Sequence, residues 1–309
     1  MKLSDELFKV IYRLTHSKRY KHNRKRWPHV KISRGDCGQI VDFAYKGISI
    51  PIIDLKSLKH AFTGQLVMVA SGPSINQITF KHSPSVLTLG VNGSYCLKDK
   101  INFNFYVITD IHFFSQRPEI VEQIIANPDL LLFLQVDGLV KIINLFGNQS
   151  ICCKIALIED AFKLTYQPIQ TLSEIEKDPT RNKSIYFYHN DHREHEPLAF
   201  ETNIVNGVFP AKTVVYWALQ IAVYLGFNQL YLAGVDLNNF HLPRFYETPD
   251  NITYSQLASD FEKNILPAFE HASSVMKALK VEVKNMSLDS ALDTDIFEKQ
   301  AYNDIFNSL

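Results

Sequence analysis

The sequence predicts an α/β fold: a Rossmann-like, doubly wound, mostly parallel sheet with helices on both faces. Continuous apolar runs of four to six residues recur from residue 66 onward, as expected of strands buried on both sides. Most of them end in a turn built from Gly, Ser, Asn or Asp. A stretch of helical spacing, Thr213–Leu225, separates the later runs. With 309 residues, 46% hydrophobic and 21% charged, the chain is long and apolar enough to bury a full core and is far from disordered.

Residues 1–60 read as an N-terminal arm ahead of a domain spanning 61–309. The arm begins with an amphipathic helix carrying Leu3, Leu7, Val10, Ile11 and Leu14 and runs into a basic stretch. Residues 1–31 hold ten Lys or Arg against Asp5 and Glu6, leaving 22 basic and 30 acidic residues elsewhere. Three readings stand for such an end: a solvated helix packed on the domain edge, a helix lying on an anionic membrane surface, or a nucleic-acid contact. Only Tyr20 and Trp27 could stack on bases nearby, so nucleic acid is not expected as a partner. The run Leu7–Leu14 is short and interrupted by Lys9 and Arg13, unlike a secretory core, and no segment approaches the roughly 20 apolar residues of a membrane span. The four cysteines, Cys37, Cys96, Cys152 and Cys153, form no CxxC pair, which fits a reduced, cytosolic setting.

Strands are predicted at Leu66–Ala70, Val86–Val91, Phe105–Ile108, Leu131–Val136 and Leu230–Val235. The helix Thr213–Leu225 stops at Gly226. Residues 172–202 break the pattern; they are rich in charge and carry His189, His192 and His195. Clustered His can hold a metal, but Arg181, Arg193 and Glu194 in the same stretch favour a solvated lid loop.

The chemistry is expected at the strand ends. Ser71-Gly72-Pro73-Ser74 follows the first run: Ser71 can cap a helix, Gly72 admits a ligand close to backbone, and Pro73 suits a first helical turn. The exposed amides would then form a phosphate site, or the segment is only a tight turn. Asn92-Gly93 ends the second run, where an Asn side chain can read a ribose or base edge or simply make the turn. Thr109-Asp110 ends the third, with a carboxylate facing the crevice or capping the next helix. Asn206-Gly207 through Lys212-Thr213 opens the long helix, and Lys212 could neutralise a phosphate. Gly234-Val235-Asp236 ends the fifth run, and Arg244-Phe245-Tyr246 follows a short loop.

Taken in order, these segments, with Gln220-Ile221-Ala222, resemble the lipopolysaccharide-core Kdo (3-deoxy-manno-octulosonic acid) transferases and, more distantly, the CMP-sialic acid-dependent lipooligosaccharide sialyltransferases. The resemblance covers roughly residues 65–120 and 205–295. It implies a GT-A-like variant of the Rossmann frame, and a peripheral enzyme on the inner face of the bacterial inner membrane. It makes Gly72 and Ser74 the first nucleotide-binding turn, Asn92 a donor contact, and Thr213 a nucleotide contact, although Val214 stands where a Ser is usual. Gly234 and Asp236 would form the cytidine-side turn, and Tyr246 would bond the departing phosphate. The sialyltransferase catalytic His has no counterpart, since His241 and His271 are misplaced; the Kdo-transferase pattern offers Asp260 instead.

The implied reaction takes Kdo from CMP-Kdo to the lipopolysaccharide inner core with inversion. Tyr246 and the nucleotide turns would hold the leaving phosphate, with Lys212 or Arg244 adding charge; Asp260, or else Asp110, would act as base. No cofactor or divalent metal is expected, because CMP leaves as a monophosphate. Asp293-Thr294-Asp295 spells a metal-binding DxD but lies after the last predicted strand, where it reads as a surface acid pair. The competing readings are a sialyltransferase, a pterin pyrophosphokinase-like enzyme sharing the Gly-Pro-Ser turn, and a non-catalytic membrane-binding module.

Overall fold

The computed structural model describes residues 3–80, 86–189, 197–248, 250–253 and 255–306. Helix α1 (Leu3–Thr15) comes first, followed by an antiparallel sheet of β1 (Val30–Arg34), β2 (Ile40–Tyr45) and β3 (Ile48–Ile50). The main sheet begins with β4 (Gln65–Val69), β5 (Leu87–Val91) and β6 (Phe105–Ile108). Helices α2 (Phe113–Gln116) and α3 (Pro118–Ile125) lead to β7 (Leu131–Leu134), and α4 (Val136–Phe146) leads to β8 (Lys154–Leu157). Helix α5 (Leu172–Glu176) precedes a hairpin of β9 (Ile185–Phe187) and β10 (Ala199–Glu201). Helix α6 (Val214–Leu225) returns to β11 (Gln229–Ala233). Helix α7 (Leu257–Asp260) passes through a π turn at Phe261–Ile265 into α8 (Leu266–Leu279), followed by β12 (Glu282–Asn285), β13 (Glu298–Lys299) and α9 (Tyr302–Phe306).

The eight strands of the main sheet run in the order β13-β12-β11-β4-β5-β6-β7-β8, and every pairing is parallel. The expected Rossmann-like, doubly wound architecture is the one observed. Leu66 and Met68 point into one core with Phe105, Val107, Leu230 and Leu232. Their neighbours Val67 and Val69 point into the other with Tyr106, Ile108, Tyr231 and Ala233. Helices α6 and α8 cover the first face; α3, α4 and the β1–β3 sheet cover the second. Both faces being dry explains the unbroken apolar runs. Helix α6 is buried from Val215 to Leu225, with Gln220 the one amide among largely apolar side chains, and it stops at left-handed Gly226.

Several expectations shift. Val86 lies just outside β5, and Val136 belongs to α4 rather than to β7. The turn after β4 is a five-residue 3-10 helix, Pro73–Gln77, with Gly72 and not Ser71 in the cap position. It is too short to carry a helix dipole, so the dipole contribution expected there falls away. The segment 172–202 is not one loop: α5 and the β9–β10 hairpin frame it, while His192, Arg193, Glu194 and His195 lie outside the described residues. His189 is exposed and 3.4 Å from Glu176. Among the described residues no group of three His, Cys, Asp or Glu could hold a metal, and no helix is long and apolar enough to cross a membrane.

Candidate functional site

Strand order reverses at β4. The chain steps from it to β5, β6, β7 and β8 on one side and to β11, β12 and β13 on the other. The carboxyl ends of β4 and β11 therefore flank a topological switch point, the place where open α/β sheets bind ligands.

Backbone joins these two ends. Ala70 donates to Ala233 O at 2.8 Å and Gly72 to Gly234 O at 2.9 Å. Asp236, buried, then receives the Ser74 backbone N–H at 2.8 Å and the Ser74 hydroxyl in a second, short bond. Ser287 Oγ lies 2.8 Å from the same hydroxyl. A Cβ at Gly72 would meet Asp236 Oδ2 at 2.5 Å, so only glycine fits beneath this carboxylate. Ser74 and Asp236 thus serve each other, and their groups lock the two strand ends together. Gly234 adopts φ 71° and is buried, and its carbonyl is taken by Gly72 N–H.

Asn92 and Gly93 stand at the end of β5. Asn92 adopts φ 48°, a conformation tolerated by Asn better than by most side chains. Its carbonyl accepts from Tyr106 Oη at 2.6 Å, and Tyr106 Oη in turn accepts from Tyr95 N at 2.7 Å. Asn92 Oδ1 is buried and accepts no hydrogen bond. A buried carbonyl oxygen left so costs roughly 1–3 kcal/mol, and such an atom calls for an explanation.

The loop after β11 folds back over these ends. Phe245 N reaches Ser71 O at 3.4 Å, and the ring of Tyr246 packs on Gly93. Burial pushes the Tyr246 phenol up to about 12, against the opposing pull of Arg244 and Arg117, so its O–H stays a donor at neutral pH. Arg244 does not face outward as a free cation. Its guanidinium bonds Glu247 Oε1 at 2.7 Å, and its backbone N–H bonds Glu247 Oε2 at 3.0 Å.

Glu247 and Arg117, which the sequence reading omits, complete this loop. Arg117 donates to Asn251 O at 2.6 Å and Thr253 Oγ1 at 3.0 Å, lies 3.4 Å from Glu247 Oε1, and stands 5.9 Å from the Tyr246 ring centre. The Glu247 side chain is 1% exposed. Burial pushes its carboxyl up, but the Arg244 backbone N–H and guanidinium together with Thr253 N–H hold it below the usual carboxylate range. Beside Arg117 and Tyr246 is a cavity of about 210 Å³ whose lining includes Tyr95, Cys96, Glu119 and Asn251. The one local signal for Glu247 is its place directly after Arg244-Phe245-Tyr246.

The remaining expected residues do not join the cluster. Helix α6 ends at Gly226 beside Phe62, just ahead of β4, so its first turn lies at the carboxyl edge. There Thr213 caps it, accepting from Val215 N at 3.3 Å, and Lys212 is exposed. Thr109 is half-buried; Asp110 is exposed and accepts from His112 N at 2.8 Å, a local turn bond just ahead of α2, whose cap position is His112. Gly207 (φ 97°) packs on Ala161 beyond β8, away from the switch point. Asp260 is half-buried at the start of the π turn, where Oδ1 accepts from Asn264 Nδ2 at 2.9 Å. π turns are frequent at functional positions. His271 bonds Tyr186 O at 2.8 Å and is a core contact, while Gln220 spans buried backbone of Phe209, Glu201 and Tyr216.

Residues 176–300 match the family model of the 3-deoxy-D-manno-octulosonic acid transferase WaaZ. A curated relative, the probable 3-deoxy-manno-octulosonic acid transferase of Escherichia coli, is 24% identical over 266 residues, covering 80% of this chain and 88% of that protein. Among solved structures, the Campylobacter jejuni sialyltransferase CstII with cytidine-5'-monophosphate is 14% identical, covering 75% of this chain and 83% of that one, with a TM-score of 0.43. The same enzyme with CMP-3FNeuAc gives 15% identity over 76% and 85% of the two chains and a TM-score of 0.38, overlaps too loose to transfer a ligand. The family model, the curated relative and the order of motifs in the sequence point the same way: the chain is similar to the 3-deoxy-D-manno-octulosonic acid transferases.

Proposed function

We propose that this chain moves Kdo from CMP-Kdo onto a lipid-linked acceptor, the inner core of lipopolysaccharide, with inversion and from the cytoplasmic side. The observation that carries the reading is the buried, unmatched Asn92 Oδ1, set one residue from the Gly93–Tyr246 contact at the switch point. An acceptor atom in that position suits the exocyclic amine of cytosine or a ribose hydroxyl. A protonated phenol beside it suits the phosphate of the same nucleotide.

In the proposed reaction the acceptor hydroxyl oxygen bonds to the anomeric carbon while the bond from that carbon to the CMP phosphate oxygen breaks. The bonding pair leaves with phosphate, where the Tyr246 O–H donates to it and exposed Lys212 adds charge. The proton of the attacking hydroxyl passes to a carboxylate, assigned to Asp260. A weak base suffices because the attacked centre is already oxocarbenium-like. Arg244 acts through Glu247, holding the loop that presents Tyr246 and leaving the phosphate to other groups. Removing a donor of this kind typically costs about 10²–10³ in turnover.

The test is a donor screen with purified short lipopolysaccharide as acceptor. CMP-Kdo and CMP-sialic acid are offered separately, and the product is read by mass spectrometry. A mass gain of one Kdo unit supports the reading. A product with sialic acid alone overturns the donor, and CMP found bound away from Gly72, Asn92 and Tyr246 overturns the site.

A further inference from the structure

Helix α1 is mounted on the body by the side opposite to the one its apolar residues suggest. Tyr12 is 1% exposed, and the rings of Phe8 and Tyr12 each lie 5.8 Å from Trp27. Phe8 also meets His29 at 5.5 Å, and Asp5 lies 3.2 Å from the same imidazole. This aromatic stripe fixes the rotation of the helix. It leaves Leu7 59%, Val10 40% and Leu14 80% exposed. At 100° per residue these three share one face, roughly 150° round the axis from Phe8 and Tyr12. The two sequence-level alternatives for the arm, a packed helix and a surface-seeking helix, therefore describe opposite sides of one element.

The setting of this face is basic. Exposed Arg13 lies on the helix itself, and exposed Lys18, Lys21, Arg24 and Lys25 follow it. Arg26, in contrast, is structural: it is buried and bonds Asp137 at 2.8 Å and Thr165 Oγ1 at 2.9 Å. Asp137 is in the first turn of α4, just past the end of β7, and Thr165 follows β8. Through Arg26 the arm is thus tied to the carboxyl edge of the sheet, the edge that carries the candidate site.

We infer that the outer face of α1 docks on an anionic phospholipid surface, with Leu7, Val10 and Leu14 entering the interface and the adjoining Lys and Arg residues facing the headgroups. An exposed aliphatic stripe on a helix held rigidly by its other side has no folding role, and its cationic surroundings select a negatively charged partner. Docking there brings the carboxyl edge of the sheet close to lipid, where a lipid-linked acceptor would be presented. The inference concerns α1 alone and holds whichever sugar the enzyme transfers.

The test is sedimentation of the full-length protein with vesicles of phosphatidylethanolamine and phosphatidylglycerol, and separately with vesicles of phosphatidylcholine. The wild type should pellet with the first and remain in solution with the second, with binding that weakens as salt rises. Leu7→Ser, Val10→Ser and Leu14→Ser combined should lower binding about tenfold or more while leaving Tm and elution volume unchanged. Arg13→Glu with Lys25→Glu should weaken binding to the anionic vesicles alone. Equal binding by the triple variant overturns the inference, as does a wild type indifferent to phosphatidylglycerol. A wild-type dimer split by the triple variant also overturns it, since the face would then be covered by a second copy.

Discussion

The ring of Tyr246 fills the space where a side chain on Gly93 would stand: a Cβ there would lie 2.1 Å from Cε1 and 2.2 Å from Cζ of the ring. No L side chain fits such a contact, so the glycine at the end of β5 fixes where the phenol points. The loop after β11 is seated on β5 by this contact and on the β4 end by the Phe245–Ser71 bond at 3.4 Å.

Gly93→Ala should therefore dislodge the ring. We expect a stability loss of about 1–3 kcal/mol, as for other overpacked positions, together with a large fall in turnover. Tyr246→Phe keeps the packing and removes only the O–H. It should leave Tm nearly unchanged and slow turnover about a hundredfold. Thermal denaturation and kcat measured side by side on the two variants separate position from chemistry; equal Tm losses would refute the scheme.

Glu247→Gln should loosen the same loop by another route. The carboxylate holds Arg244 at 2.7 Å and faces Arg117 at 3.4 Å, and losing its charge should cost about 2 kcal/mol near neutral pH. Because the folded carboxyl lies below its ordinary value, its contribution is full above the unfolded pKa of about 4.3 and fades as pH falls through the folded pKa. The Tm gap between wild type and variant should be widest at neutral pH and close in acid.

Much of this arrangement was legible in the residues and part of it was not, for physical reasons. Strands β4, β6, β7 and β11 announce themselves because both faces are buried and their apolar runs are unbroken, and β5 does so with only Thr88 and Gly90 interrupting its run. Strand β12, one in from the edge, carries Glu282 and Lys284 among its four residues, and edge strand β13 is Glu298–Lys299, so neither shows such a run. Turn glycines mark the strand ends, yet the partners that define the site come from far along the chain. Ser74 and Asp236 are 162 residues apart, and Arg117 and Glu247 are 130 apart. No local periodicity encodes those pairs. In α1 the helical period was readable but the direction was not, because the ring contacts of Phe8 and Tyr12 with Trp27 set which side faces the body.

Glu201 supplies a stability signature independent of the site. It is fully buried at the end of the β9–β10 hairpin; Oε1 accepts from Asn203 N at 2.7 Å, and Oε2 accepts nothing. Burial pushes its carboxyl up to about 7, against the lowering effects of Ser184, Asn203 and Arg181. A carboxyl with a folded pKa above its unfolded value holds its proton longer in the folded state. Stability is then lost as pH rises from about 4.3 toward 7 and levels off above. Glu201→Gln should flatten that slope, gaining on the wild type by up to about 3 kcal/mol between pH 5 and pH 8 in denaturant titrations. Parallel pH profiles would show that the group does not titrate there.

Asp260→Asn tests the proposed base. The amide can still meet Asn264 across their 2.9 Å contact, so the π turn should persist and CMP affinity should hold. Turnover should fall about 10²–10⁴-fold, the usual worth of a general base. Activity like that of the wild type would remove Asp260 from the mechanism and leave exposed Asp110 as the carboxylate to test.

Asn92 offers the cleanest separation of backbone from side chain. At φ 48° most L residues are strained, whereas glycine is at ease there. Asn92→Gly should therefore fold at least as well as the wild type, and better to the extent that the unmatched Oδ1 costs stability when no ligand is bound. Asn92→Ala should lose about 1 kcal/mol to the left-handed backbone. If Oδ1 receives a hydrogen bond from the nucleotide, both variants should bind CMP about tenfold more weakly by calorimetry, a factor that corresponds to one hydrogen bond. A glycine variant that folds well and binds CMP as the wild type does would show that this oxygen faces no ligand, and the reading of the crevice as a nucleotide site would lose its main support.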